Sequence, residues 1–292
     1  MSPRLNAIRL GPRSVVAILA TSAVGVVAFG WPLLVGDGTG LQHAADAPWF
    51  FAALLPLLLA VVLAEVADER APAAGGPGAS GAGGPQGSGA GAPRGMDAKA
   101  VALLGVLAAI GAALRPFGAG TAGLEPTLFL LVLAARVLGP GFGFVLGSVT
   151  YFASALLTAG VGPWLPFQML GAAWAGLGAG LLPRRLTGRA EIAALTAYTA
   201  VAALLYGMLL NLWFWPFVAV GSGLSFVPGA SVLDNLRRLV AFTAATSLGY
   251  DIPRAVLNGG LVLAVGPAVL RALRRAARRA AFDAVPRFGA GG

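Results

Sequence analysis

The sequence predicts an all-α integral membrane protein of about eight spans, both termini cytoplasmic: a six-helix core preceded by a transmembrane hairpin. Three observations carry this expectation. Of the 292 residues 58% are apolar and 11% charged, less than half the roughly 25% charged of a soluble domain. Mean hydropathy is +0.82. The apolar residues also gather into stretches near the 20 or so needed to cross a bilayer, with the basic residues falling between them.

In order, those stretches are Ser14–Val35, Trp49–Ala67, Ala98–Leu114, Pro126–Leu138, Gly143–Ala159, Trp164–Leu182, Ile192–Val218 and Tyr250–Leu270. The fourth is short, with Gly and Pro blurring its ends. With the N-terminus inside, the inner segments hold 16 of the 20 basic residues; only Arg115, Arg237, Arg238 and Arg254 fall outside. Basic loops stay in the cytoplasm, so the formal charge of +9 reads as orientation and not as a nucleic-acid surface.

Residues 1–67 form the hairpin, and 68–97, with Gly75-Gly-Pro-Gly-Ala-Ser-Gly at its centre, reads as a flexible cytoplasmic tether. The core covers 98–275, and 276–292 is a basic cytoplasmic tail. The segment Asn235–Leu248 has the pattern of an amphipathic helix lying on the membrane surface.

Rare residues narrow the chemistry. There is no Cys, one His (His43) and one Lys (Lys99). No Cys- or His-based metal site is available. No Gly-Lys-Ser/Thr occurs, so the phosphate-gripping lysine of a P-loop is missing. The chain is expected to be no enzyme and to hold no cofactor, and any ATP-driven work would fall to a partner.

Polar and aromatic residues collect toward the outer ends of four segments. They are Arg115, Thr121 and Glu125; Trp164, Phe167 and Gln168; Tyr206, Asn211, Trp213 and Trp215; and Tyr250, Asp251, Arg254 and Asn258. The plainer reading of the tryptophans is an interfacial aromatic belt, and of Asp251/Arg254 an i, i+3 helix pair. Yet ionisable residues in spans usually face a cavity or pathway. Convergent polar groups among aromatics also describe a small-molecule site. Ala98, Ala102, Gly105 and Ala109, with Ala112, line one helical face, which is either internal packing or a flat docking surface. Gly143/Gly147 and Gly171/Ala175/Ala179 read as internal packing.

From Asp97 to about Arg275 the chain resembles the substrate-binding S component of an energy-coupling factor (ECF) vitamin transporter. The residues behind the likeness are Ala98-Lys-Ala-Val-Ala102, similar to the family's Ala-x-x-x-Ala docking motif, and the helix–Gly-Pro-Gly–helix turn within Leu130–Gly147. Pro163-Trp-Leu-Pro166 before a Gly/Ala-rich helix, and the closing Tyr250–Leu273 with Asn258, complete the pattern. The resemblance implies a six-helix binder that joins a transmembrane coupling subunit and two ABC-type ATPases and carries a vitamin inward. The N-terminal hairpin and tether depart from the usual six-helix members. Cobalamin is the favoured vitamin, because similar eight-span S components are linked with its uptake; the residues do not demand it, and riboflavin, thiamine and biotin stay open. The alternative is an ion-coupled secondary transporter of a small organic solute, which would need a midspan carboxylate. Glu125, Asp234 and Asp251 fall near outer ends and Glu191 near an inner one.

Overall fold

The computed structural model describes residues 12–34, 58, 96, 98–118, 123–218 and 223–280. Apart from Leu58 and Met96, the second predicted span and the Gly-rich tether lie outside the described residues, as does Thr121. Among those described, every regular element is helical. The α-helices are α1 (Pro12–Leu34), α2 (Ala98–Leu114), α3 (Leu128–Leu138), α4 (Pro140–Leu157), α5 (Leu165–Leu181), α6 (Gly188–Phe214), α7 (Val232–Thr246) and α8 (Leu248–Ala280).

Five of them (α1, α2, α4, α6 and α8) are long and apolar enough to cross a membrane, which marks a membrane protein. The fourth predicted span becomes α3, whose 11 residues reach only about 16 Å at 1.5 Å each. The helix is short because Gly139 takes φ 105° and Pro140 starts α4 at once. Nearly every α3 side chain is buried. The protein around it replaces the lipid that such an apolar helix would otherwise meet.

Glycine sets the central packing. A Cβ on Gly143 or Gly147 of α4 would strike the α5 backbone at Gly176 and Ala172. Small residues let membrane helices approach to backbone contact, where dispersion replaces the hydrophobic drive. The expectation of internal packing at these glycines is met. Helix α1 lies against α5 and α6. Its Phe29 meets Phe167 edge-on at 5.1 Å, and Ser22 accepts a hydrogen bond from the Trp174 indole at 2.9 Å.

Helix α7 covers Val232–Thr246, close to the predicted amphipathic segment. Ser231 caps it, its hydroxyl accepting from the Asp234 N–H at 3.1 Å and donating to the Asp234 carboxylate at 2.6 Å. Asn235, Leu239 and Phe242 face inward, while Val232, Leu233 and Val240 are exposed. Helix α8 then runs unbroken through 275, so the core and the start of the basic tail share one helix.

Arg115 at the end of α2 meets Gln168 at the start of α5, Arg136 at the end of α3 meets Glu191 at the start of α6, and Gly207 late in α6 meets Asp251 at the start of α8. Directions therefore alternate from α2 to α6, and α8 runs as α3 and α5 do. One end of the bundle therefore gathers the α2–α3, α4–α5 and α6–α8 connections. The other gathers the α3–α4 and α5–α6 connections and the end of α8.

Candidate functional site

The first end holds the charged cluster. Arg115 leaves α2 on a 3-10 turn that Pro116 helps to set. Its Nε donates to Glu125 Oε1 at 3.2 Å, its Nη2 to Gln168 Oε1 at 2.6 Å, and its guanidinium stacks 4.4 Å from the Tyr151 ring centre. The Tyr151 hydroxyl donates to the same Glu125 oxygen at 2.9 Å. The Glu125 carboxylate thus joins Arg115 at the end of α2 to Tyr151 of α4, and Arg115 carries the link on to Gln168 of α5.

The second half of the cluster comes from α8. Arg254 donates to Asp251 Oδ1 at 2.7 Å and lies 5.5 Å from the centre of the Tyr206 ring. Tyr206 and Tyr151 are neighbours at 5.7 Å, so the two arginine–tyrosine stacks adjoin. Burial reaches 3% exposure at Asp251. Gly207 permits this, because a Cβ there would collide with the Asp251 carboxylate.

Asn258 is fully buried and ties the α2–α3 connection to α8. Its Oδ1 accepts from the Phe129 N–H at 2.9 Å, and its Nδ2 donates to the carbonyls of Glu125 at 2.8 Å and Arg254 at 2.9 Å. Those bonds satisfy backbone groups at the start of α3 that the helix itself cannot. Gly123, at φ 85°, touches the Tyr250 carbonyl so closely that no side chain would fit.

Among the described residues the Asp251–Arg254 pair keeps two buried polar atoms without a hydrogen-bond partner, Asp251 Oδ2 and Arg254 Nε, and the hydroxyls of Thr127, Thr150 and Ser154 are unmet as well. Leaving such groups bare costs about 1–3 kcal/mol each, more when charged. Asp251 Oδ2 and Arg254 Nε are an acceptor and a donor on the two partners of one ion pair. The four charges Arg115, Glu125, Asp251 and Arg254 sum to zero, so the chemistry offered is a neutral, aromatic-walled surface that can both give and accept hydrogen bonds.

Of the residues singled out from the sequence, Arg115, Glu125, Gln168, Tyr206, Asp251, Arg254 and Asn258 come together here. Phe167 and Trp213 stack on each other at 4.6 Å within the core. Four others sit elsewhere. Trp164 is 45% exposed and donates to the Gly160 carbonyl at 3.1 Å; Tyr250 is 55% exposed. Trp215 is buried beneath α7 with Leu239 and Phe242, its indole donating to the Leu224 carbonyl at 2.6 Å. Asn211 donates to the Thr243 and Ser247 hydroxyls, at 3.1 and 2.7 Å, and so braces α7.

Tyr151 was not anticipated, since it stands within the apolar run of α4. Its signal was nevertheless present: a tyrosine buried in an apolar helix needs a partner for its hydroxyl. On α2, Ala98, Ala102, Gly105 and Ala109 are exposed, whereas Ala112 turns into the core. Among the described residues no three His, Cys, Asp or Glu side chains gather as a metal site.

Set against known proteins, the chain matches no family model, and neither the curated proteins nor the solved structures give a significant match.

Proposed function

We propose that this chain is the substrate-binding subunit of an ECF-type importer, capturing a small organic molecule of the vitamin class at the Arg115 end. That end would face outward and both termini the cytoplasm. A single observation carries the reading: the buried Asp251–Arg254 pair keeps an acceptor and a donor that no described residue meets, beside two tyrosine faces. A polar, heteroaromatic ligand has groups to meet both. Cobalamin remains the favoured vitamin on sequence pattern alone.

The exposed Ala98–Ala109 stripe supports docking on a coupling subunit, with two ABC-type ATPases supplying the motor that this sequence lacks. A Cβ on Gly105 would meet nothing within 4 Å, so bulk can be added there without disturbing the fold. Native mass spectrometry of the detergent-purified chain should find a co-purified small molecule of one mass. Ala98→Trp with Ala102→Trp should then abolish uptake and leave that molecule bound. Purification without any ligand, or uptake that survives the tryptophans, counts against the reading. Uptake that collapses with an uncoupler at constant ATP would favour the ion-coupled alternative.

A further inference from the structure

Seven arginines crowd the end of the bundle opposite the Arg115 cluster. Arg184 and Arg185 lie in the α5–α6 connection, Arg189 in the first turn of α6, and Arg271, Arg275, Arg278 and Arg279 near the end of α8; all seven are exposed. The acid at this end among the described residues is Glu191, and Arg136 and Arg274 both bind it, at 2.7 and 2.6 Å. None of the seven has an ion-pair partner among the described residues.

Their grouping is fixed by the same node. Arg136 also donates to the carbonyls of Leu182, Pro183 and Leu186, at 2.9, 3.3 and 3.0 Å, which pins the connection bearing Arg184 and Arg185 beside Arg274. On α8, Arg271, Arg274, Arg275 and Arg278 recur at i, i+3, i+4 and i+7 and form one stripe. Leu270, Leu273 and Ala277 are buried on another side of the helix. The stripe is therefore held against the bundle and points outward.

Its height along the helix identifies what it meets. Helix α8 has 33 residues, about 50 Å at 1.5 Å each, whereas the hydrocarbon core is about 30 Å thick. Arg271 follows Leu248 by 23 positions (271 − 248), or about 34 Å, so a hydrocarbon core that begins at the start of α8 ends before the stripe, which then meets the headgroup layer. Guanidinium forks match phosphate oxygens two at a time.

We infer that this arginine collar is a seat for anionic phospholipid headgroups. The seat is independent of what the Arg115 end binds.

The test uses the full chain in mixed micelles containing equimolar phosphatidylglycerol and phosphatidylcholine, with retained lipid counted by native mass spectrometry. The wild type should retain phosphatidylglycerol in preference, and Arg275→Gln with Arg278→Gln should lower that preference by roughly fivefold per arginine removed. Arg237→Gln with Arg238→Gln, the same charge change on one exposed and one half-buried residue of α7, should leave it unchanged. Equal retention of the two lipids overturns the inference and leaves an acidic protein surface as the collar's counterpart. An equal loss in the α7 variant also overturns it. So does displacement by glycerol phosphate at concentrations matching the lipid, since the ligand would then be a free phosphate ester.

Discussion

Two clusters of arginines and carboxylates stand at opposite ends of the same helices, and they differ in how fully their polar atoms are used. Around Glu191, Arg136 spends all three guanidinium nitrogens on protein acceptors, Arg274 adds a second charge, and among the described residues none of these three side chains keeps a buried atom without a partner. Around Asp251 the ion pair is as short, yet Oδ2 and Arg254 Nε are unmet. A buried charge network with every group satisfied locks helices together. On the proposed function, one with a spare donor and acceptor is kept for a ligand. Short distance alone does not separate structure from function here; completeness does.

The largest expected effect is at the complete cluster. Glu191→Ala leaves Arg136 buried without its carboxylate, a loss of about 3–5 kcal/mol, and should lower the melting temperature in detergent sharply. Whatever folded protein remains should still retain ligand. If its stability were untouched, the contrast between the clusters would fail.

Next comes Asn258→Ala, which strips partners from the Phe129 N–H and the Glu125 carbonyl. At about 1–3 kcal/mol for each buried group left bare, the variant should melt earlier, and limited proteolysis should cut the α2–α3 connection faster. Unchanged proteolysis would mean that Asn258 does not hold that connection down.

Gly207→Ala is expected to cost about 1–3 kcal/mol through overpacking, and it sharpens the comparison because its Cβ pushes directly on Asp251. Ligand retention should fall further than stability does. The smallest change, about 1 kcal/mol, is expected for Asn211→Ala, which only loosens α7 from α6; thermal melting reads it, and ligand retention should hold.

How far the sequence could see follows from which forces are local. Hydropathy found the long helices, because about 20 apolar residues announce themselves. Gly143 and Gly147 were readable as packing residues because small-residue spacing is itself a local pattern. Asp251 and Arg254 were readable too, being charges where charge is expensive. Arg136 was not: it was counted only toward orientation, and its role depends on Glu191 and on carbonyls 46 to 50 positions away. Tyr151 escaped for the same reason, its partner Glu125 lying on another element. Trp215 misled in the other direction. Pro216 turns the chain into a short 3-10 segment, which carries the indole under α7 and away from the cluster.

The most direct measurement compares ligand retention, by native mass spectrometry, in the wild type, Asp251→Asn, Arg254→Gln and Glu191→Gln, each checked for a monodisperse folded peak. The wild type and the folded fraction of Glu191→Gln are expected to carry the same small molecule, while Asp251→Asn and Arg254→Gln emerge folded and empty. Retention undiminished in both of those variants would contradict the account, because the unmet atoms of the Asp251–Arg254 pair would then not be where the ligand is held.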